Sequence, residues 1–246
     1  MIRQISVFET IDDLNREVVN LIDYLLQSRP TISIALSGGS TPKALFDYWS
    51  KAKREFDYWK RIRLFWGDER CVPPDDEMSN FGMTKEHLLD KIPIPPGNIF
   101  RIVGENDPGQ EAMRYGELIE KEVHSFDLVL LGLGDDGHTV SIFPPSIKLW
   151  KSPQTCVVNR HPESGMERIT ITGKVVNGAS YVAFLVTGSS KAAKVEEIIL
   201  HRKEHINSYP AAKVAPASGN LFWLLDARAA ALLQSKPFIN FANKLK

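Results

Sequence analysis

The stretch Leu128-Val129-Leu130-Leu131-Gly132-Leu133-Gly134-Asp135-Asp136-Gly137-His138-Thr139 decides how the rest of the chain is read. Its apolar run does not alternate, which predicts a short strand buried on both faces, as in a parallel sheet. Gly132, Gly134 and Gly137 follow, so a tight turn is expected at the strand's carboxyl end. Open α/β sheets place their ligands at that edge. Two carboxylates and an imidazole stand in the turn, and Asp136 with His138 is a candidate acid/base pair.

The same glycines satisfy G-x-G-x-x-G, a dinucleotide fingerprint, but the context excludes it. A helix must follow the last glycine, and here Thr139 to Phe143 run into Pro144 and Pro145. Asp135 and Asp136 would repel a pyrophosphate, and the strand lies mid-chain rather than first. One histidine with two aspartates gives no metal-binding spacing, so no metal is expected. His87, His124, His161, His201 and His205 have no comparable setting and are read as surface or packing residues.

Working outward, similar strand ends recur. Ile32 to Leu36 reads as a strand feeding Ser37-Gly38-Gly39-Ser40-Thr41-Pro42. Pro42 suits the first helical position, and Ser40 or Thr41 suits the cap. Free N–H groups at such a helix start bind phosphate, the plain alternative being a capped helix with no ligand. No Gly-Lys-Ser/Thr closes the turn, which disfavours a nucleoside triphosphate. A strand at Ile62 to Trp66 ends in Gly67-Asp68-Glu69-Arg70. Arg70 is a candidate to hold a phosphate or polarise a carbonyl, and Asp68 and Glu69 to orient it or serve in catalysis. A solvated acidic turn with an internal ion pair is the alternative. A strand at Tyr181 to Val186 ends in Thr187-Gly188-Ser189-Ser190-Lys191, where Lys191 can meet an anion or be an ordinary surface lysine.

Further strands are expected at 2–8, Ile99–Ile102, Val157–Val158, Ile169–Thr172 and Leu221–Leu225. Helices are expected at Ile11–Leu26 with Thr10 as cap, Phe81–Leu89, Glu111–Val123, Gly173–Asn177, Ala192–Leu200 and after Asp226. This alternation predicts an α/β fold, a mostly parallel sheet with helices on both faces. No composition break divides the chain, so residues 1–246 are read as one domain.

Lys+Arg and Asp+Glu number 30 each, and this balance argues against nucleic-acid or membrane-surface partners while leaving room for a local basic pocket. Cys71 and Cys156 make no disulfide framework, which points to a reduced, cytoplasmic setting. Arg3, Glu9, Asp12 and Asp13 interrupt the N-terminus, so no signal peptide is expected. No apolar run approaches the roughly 20 residues of a membrane helix. There is no G-x-S-x-G elbow and neither cysteine sits at a candidate site, so ester chemistry would use water activated by His138.

The chain resembles the 6-phosphogluconolactonase family through motifs spread over roughly residues 5–233. These are Leu36-Ser37-Gly38-Gly39-Ser40-Thr41-Pro42, Trp66-Gly67-Asp68-Glu69-Arg70, Ser79-Asn80, Gly132 to Thr139 with Phe143-Pro144, Arg168-Ile169-Thr170, Thr187-Gly188-Ser189-Ser190-Lys191-Ala192 and Leu221-Phe222-Trp223-Leu224-Leu225-Asp226. The related glucosamine-6-phosphate deaminases carry Asp-Glu-Tyr where this chain has Asp68-Glu69-Arg70, and Asn-Glu-Pro where it has Ile142-Phe143-Pro144. Both departures favour the lactonase.

The resemblance implies a three-layer, Rossmann-like fold and hydrolysis of 6-phospho-D-glucono-1,5-lactone to 6-phosphogluconate in the oxidative pentose phosphate pathway. It implies no metal, no organic cofactor and no obligate protein partner. His138, oriented by Asp136, would be the general base toward water. Arg70 or main-chain N–H groups would steady the oxyanion. Ser37, Gly38, Gly39, Ser40, Thr41, Arg70, Arg168 and Lys191 are the candidates to hold the phosphate. The alternatives are a deaminase-like isomerase and a non-catalytic sugar-phosphate sensor.

Overall fold

The structure, a computed structural model, describes residues 2–233 and 239–241. In chain order the strands are β1 (Ile2–Phe8), β2 (Ile32–Leu36), β3 (Ile62–Trp66), β4 (Asp68–Arg70), β5 (Ile99–Phe100), β6 (Leu128–Leu131), β7 (Cys156–Arg160), β8 (Glu167–Ile171), β9 (Tyr181–Val186), β10 (Asn220–Asp226) and β11 (Ile239–Phe241). The helices are α1 (Ile11–Ser28), α2 (Ser40–Ala52), α3 (Phe56–Trp59), α4 (Asn80–His87), α5 (Pro108–Glu122), α6 (Gly173–Gly178), α7 (Ala192–Leu200) and α8 (Arg202–His205). No described helix is long and apolar enough to cross a membrane.

Eight strands form a wholly parallel sheet in the order β11-β1-β10-β9-β6-β2-β3-β5. Every residue of β2 and β6 is buried, because helices cover both faces of the three-layer α/β arrangement. From β2 the chain moves outward through β3 to β5. It then returns to the other side of β2 as β6 and proceeds through β9 to β10. The order therefore reverses between β2 and β6, the position where an open α/β sheet leaves a crevice at its carboxyl edge.

Three strands depart from the expected pattern. β4, β8 and β7 form a separate antiparallel sheet, with Arg70 opposite Arg168 and Asp68 opposite Thr170. Gly67 makes the transfer: its N–H donates to Leu36 O at 2.8 Å in the parallel sheet, and its carbonyl accepts from Ile171 N at 2.9 Å in the small one. The segment after β3 is thus a short strand, not the open turn its polarity suggested.

Two helix expectations also change. The cap of α2 is Gly39, at φ 107°, so Ser40 and Thr41 lie inside the first turn and Pro42 is not its first residue. Only glycine takes that left-handed conformation readily. After Asp226 the described chain makes a turn and then a 3₁₀ turn at Ala231–Leu233, not an α-helix. Asp226 does accept from Ala229 N at 2.7 Å, but it also takes the N–H of Gly188 at 3.0 Å. Much of the tail from Ser235 lies outside the described residues.

Trp49, Trp59, Trp66 and Trp223 are among the largest fully buried side chains. Beside Trp66, buried Tyr115 accepts from Trp66 N at 2.8 Å and reaches the carbonyls of Trp66 at 3.0 Å and Phe100 at 3.2 Å. Burial pushes its phenol well above the usual range, so it remains a donor. Tyr115→Phe strands those buried backbone groups. Urea unfolding is expected to show a loss of about 1–3 kcal/mol, and an unchanged midpoint would show that the hydroxyl is dispensable.

Candidate active site

A cleft of about 250 Å³ opens at the carboxyl edge of the central strands. Its wall includes Ser37, Gly38 and Gly39 after β2, Asp68 and Arg70 of β4, Gly132, Leu133, Gly134 and His138 after β6, Arg168 of β8 and Lys191. Strand ends that lie far apart in sequence therefore converge on one space.

The loop after β6 closes on itself. Gly134 N donates to His138 O at 2.9 Å, Gly137 N to Gly134 O at 3.0 Å, and Thr139 Oγ1 to Gly132 O at 2.9 Å. Asp136 Oδ1 accepts from His138 Nδ1 at 2.6 Å and from His138 N at 3.0 Å. A carboxylate on Nδ1 selects the tautomer whose Nε2 carries the lone pair. Burial alone would raise the Asp136 carboxyl; the hydrogen bonds from His138 outweigh it and hold the pKa below the usual value. The imidazole lies over Gly134, where a Cβ would stand 2.1 Å from Nδ1. Phe143 packs against the imidazole, ring centroid to ring centroid 4.7 Å.

Val140 follows with φ 48°, a left-handed conformation rare for a β-branched residue. The next residue is clamped: Ser141 N donates to Thr170 Oγ1 at 3.1 Å, Ser141 Oγ to Asp68 Oδ2 at 2.5 Å, and Asn159 Nδ2 to Ser141 O at 2.7 Å.

Arg70 and Arg168 are cross-strand partners on the small sheet. Arg70 Nη1 donates to Met78 O at 2.5 Å. The Nε of each arginine is buried and, among the described residues, without a partner. Burial, and then the neighbouring Arg70 charge, pull the Arg168 guanidinium below its usual range. Lys191 Nζ is 2.7 Å from Asp135 Oδ1, and that bond holds the Asp135 carboxyl low. The cleft thus gathers three cations and an ordered imidazole, an arrangement suited to an anionic substrate with an electrophilic carbon.

Not every candidate faces this space. Ser40 is exposed, and Thr41 is buried with its hydroxyl 2.7 Å from that of Thr187; neither lines the cleft. Glu69 turns inward, accepting from the N–H groups of Arg70, Asn80 and Phe81 and from Ser79 Oγ. Burial pushes its carboxyl up while those N–H groups pull it down, and its place is the start of α4. Wall residues given no site role in the sequence are Asn80, Val140, Ser141, Phe143 and His161. His161, taken above for a surface or packing residue, lies in the wall, at the turn of the β7–β8 hairpin. No local pattern marks it.

Residues 6–223 match the profile of the family "Glucosamine-6-phosphate isomerases/6-phosphogluconolactonase". A 6-phosphogluconolactonase of Treponema pallidum is 42% identical over 191 residues, 75% of this chain and 79% of the relative. One from Haemophilus influenzae is 42% identical over 205 residues, covering 82% and 88%. The crystal structure of the Thermotoga maritima 6-phosphogluconolactonase superposes with a TM-score of 0.83 at 27% identity, covering 92% of this chain and 100% of that one.

Gly134→Ala puts a methyl group where the imidazole lies. The variant is expected to fold, by circular dichroism, and to lose turnover by about 10²-fold, since a displacement near 1 Å suffices for that. Normal turnover would show that the imidazole position is not needed.

Proposed function

The chain belongs to the glucosamine-6-phosphate isomerase/6-phosphogluconolactonase family and is a hydrolase of its lactonase kind, and we propose that His138 drives the reaction as a general base toward water. The observation that carries this reading is the 2.6 Å bond from His138 Nδ1 to Asp136, with His138 in a cleft that Arg70, Arg168 and Lys191 also line.

In this reading the substrate is 6-phospho-D-glucono-1,5-lactone. His138 Nε2 takes a proton from water as the water oxygen bonds to the lactone carbonyl carbon. The ring C–O bond then breaks, and the imidazolium returns the proton to the departing ring oxygen. The product is 6-phosphogluconate. Asp136 fixes the tautomer and steadies the imidazolium without accepting the proton.

The phosphate falls to Arg70, Arg168 and Lys191, with the N–H groups of Ser37, Gly38 and Gly39. Two adjacent guanidinium groups with partnerless buried N–H groups repel one another until an anion joins them. A phosphate that stays bound throughout meets that need better than a transient oxyanion. The oxyanion is left to main-chain N–H groups. Among the described residues no group of three or more His, Cys, Asp and Glu could hold a metal, and the proposed route uses none. Residues 1–246 act in this reading as one domain, and the free Cys71 and Cys156 fit a reducing cytoplasm.

With the no-enzyme hydrolysis rate subtracted, His138→Ala is expected to lower kcat by about 10²–10⁴-fold with no change in the unfolding midpoint. Near-normal turnover would remove His138 as the base. Lys191→Ala is expected to raise KM and spare kcat; if both stay at wild-type values, Lys191 does not hold the phosphate. Turnover should survive chelation, and loss restored by zinc would overturn the metal-free route. Ammonia release from glucosamine 6-phosphate would favour the deaminase instead.

A further inference from the structure

We propose that His161 is a specificity-determining residue whose Nε2–H donates to a ring hydroxyl of the sugar lactone. It rests on the lactonase reading above. His161 lies in the cleft wall, where the β7–β8 hairpin begins to turn. The hairpin pins it at every backbone and ring position but one. Its N–H donates to Met166 O at 2.9 Å, and its carbonyl accepts from Gly165 N at 2.9 Å. Its Nδ1 accepts from Glu163 N at 3.3 Å and Ser164 N at 3.2 Å. With that lone pair occupied, the ring proton is on Nε2, and among the described residues Nε2 has no partner.

The ring is also held in place by Phe143, edge to face at 5.0 Å, and Phe143 in turn lies against His138 at 4.7 Å. One aromatic ring therefore separates the proposed base from a second, orientationally locked N–H donor. The charged groups of the cleft already answer the phosphate, and His138 answers the carbonyl carbon. The polar atoms of the lactone still unmatched are its ring hydroxyls, which an imidazole N–H suits. Phe143, buried between the two histidines, fixes their spacing. A fixed donor left unpaired by an analogue without its hydroxyl discriminates strongly against that analogue.

The two nitrogens of His161 can be tested apart. Asparagine places an acceptor near the Nδ1 position and nothing at Nε2, so His161→Asn keeps the hairpin and loses the donor. Glutamine reaches the Nε2 position with an N–H, so His161→Gln keeps the donor. On the full lactone, kcat/KM is expected to fall about tenfold in His161→Asn and to stay near wild type in His161→Gln, with unfolding midpoints unchanged in His161→Asn. Across 6-phosphorylated lactones lacking the 2-, 3- or 4-hydroxyl in turn, wild type and His161→Asn should converge on one member. The proposal is overturned if His161→Asn matches wild type, if both variants lose alike, or if no deoxy lactone closes the gap. If the wild type itself shows no turnover above the no-enzyme rate, the lactonase reading fails. The donor is then read from calorimetric affinity for 6-phosphogluconate, where equal affinities of wild type and His161→Asn would sink it.

Discussion

Burial on both faces of the central strands confines the chemistry of this protein to one edge. Each residue of β2 and β6 is buried, so neither strand has room for an ionisable side chain along its length. A polar group can appear only where the ladder ends and backbone N–H groups lose their partners. The parallel direction sends the carboxyl ends of β2, β3, β6 and β9 to the same side. Ser37, Gly67, Gly132 and Thr187 are the first residues past those ends. Order reversal beside β2 then opens the crevice that Ser37 and Gly132 line.

The small antiparallel sheet completes what the large one begins. β4 and β8 bring Arg70 and Arg168 side by side, a like-charge contact that neither strand would favour alone. The same strands, with Asn159 from β7, hold Ser141 by its N–H, hydroxyl and carbonyl. Ser141 follows Val140, whose φ of 48° costs about 1–3 kcal/mol. These bonds offset that strain and fix where the chain goes after His138. The anion seat and the path of the imidazole loop thus depend on one set of cross-strand contacts.

What was legible in the sequence divides along physical lines. Strands Ile32–Leu36, Ile62–Trp66 and Tyr181–Val186 are legible to the residue, because burial leaves runs interrupted only by Ser33 and Arg63, and a glycine follows each within two residues. Asp136 and His138 were legible because their partnership is local, within one loop. The small sheet was not: β4 is three residues of Asp-Glu-Arg, and its strand character comes from partners about a hundred residues away. Nor was the inward turn of Glu69, whose partners are the N–H groups that open α4. His161 carries no signal, since its tautomer and its place in the cleft are both set by the hairpin around it.

β5 has a further consequence. A long parallel sheet with a bare edge is a template for adding strands from other molecules. Here that edge is only Ile99–Phe100, preceded by a 3₁₀ turn at Pro96–Asn98 with Pro95 before it. Two residues offer too few free backbone groups to align a foreign strand, and proline withholds its donor. The side of the sheet beyond β3 thus presents a short edge that gives a foreign strand little to align on.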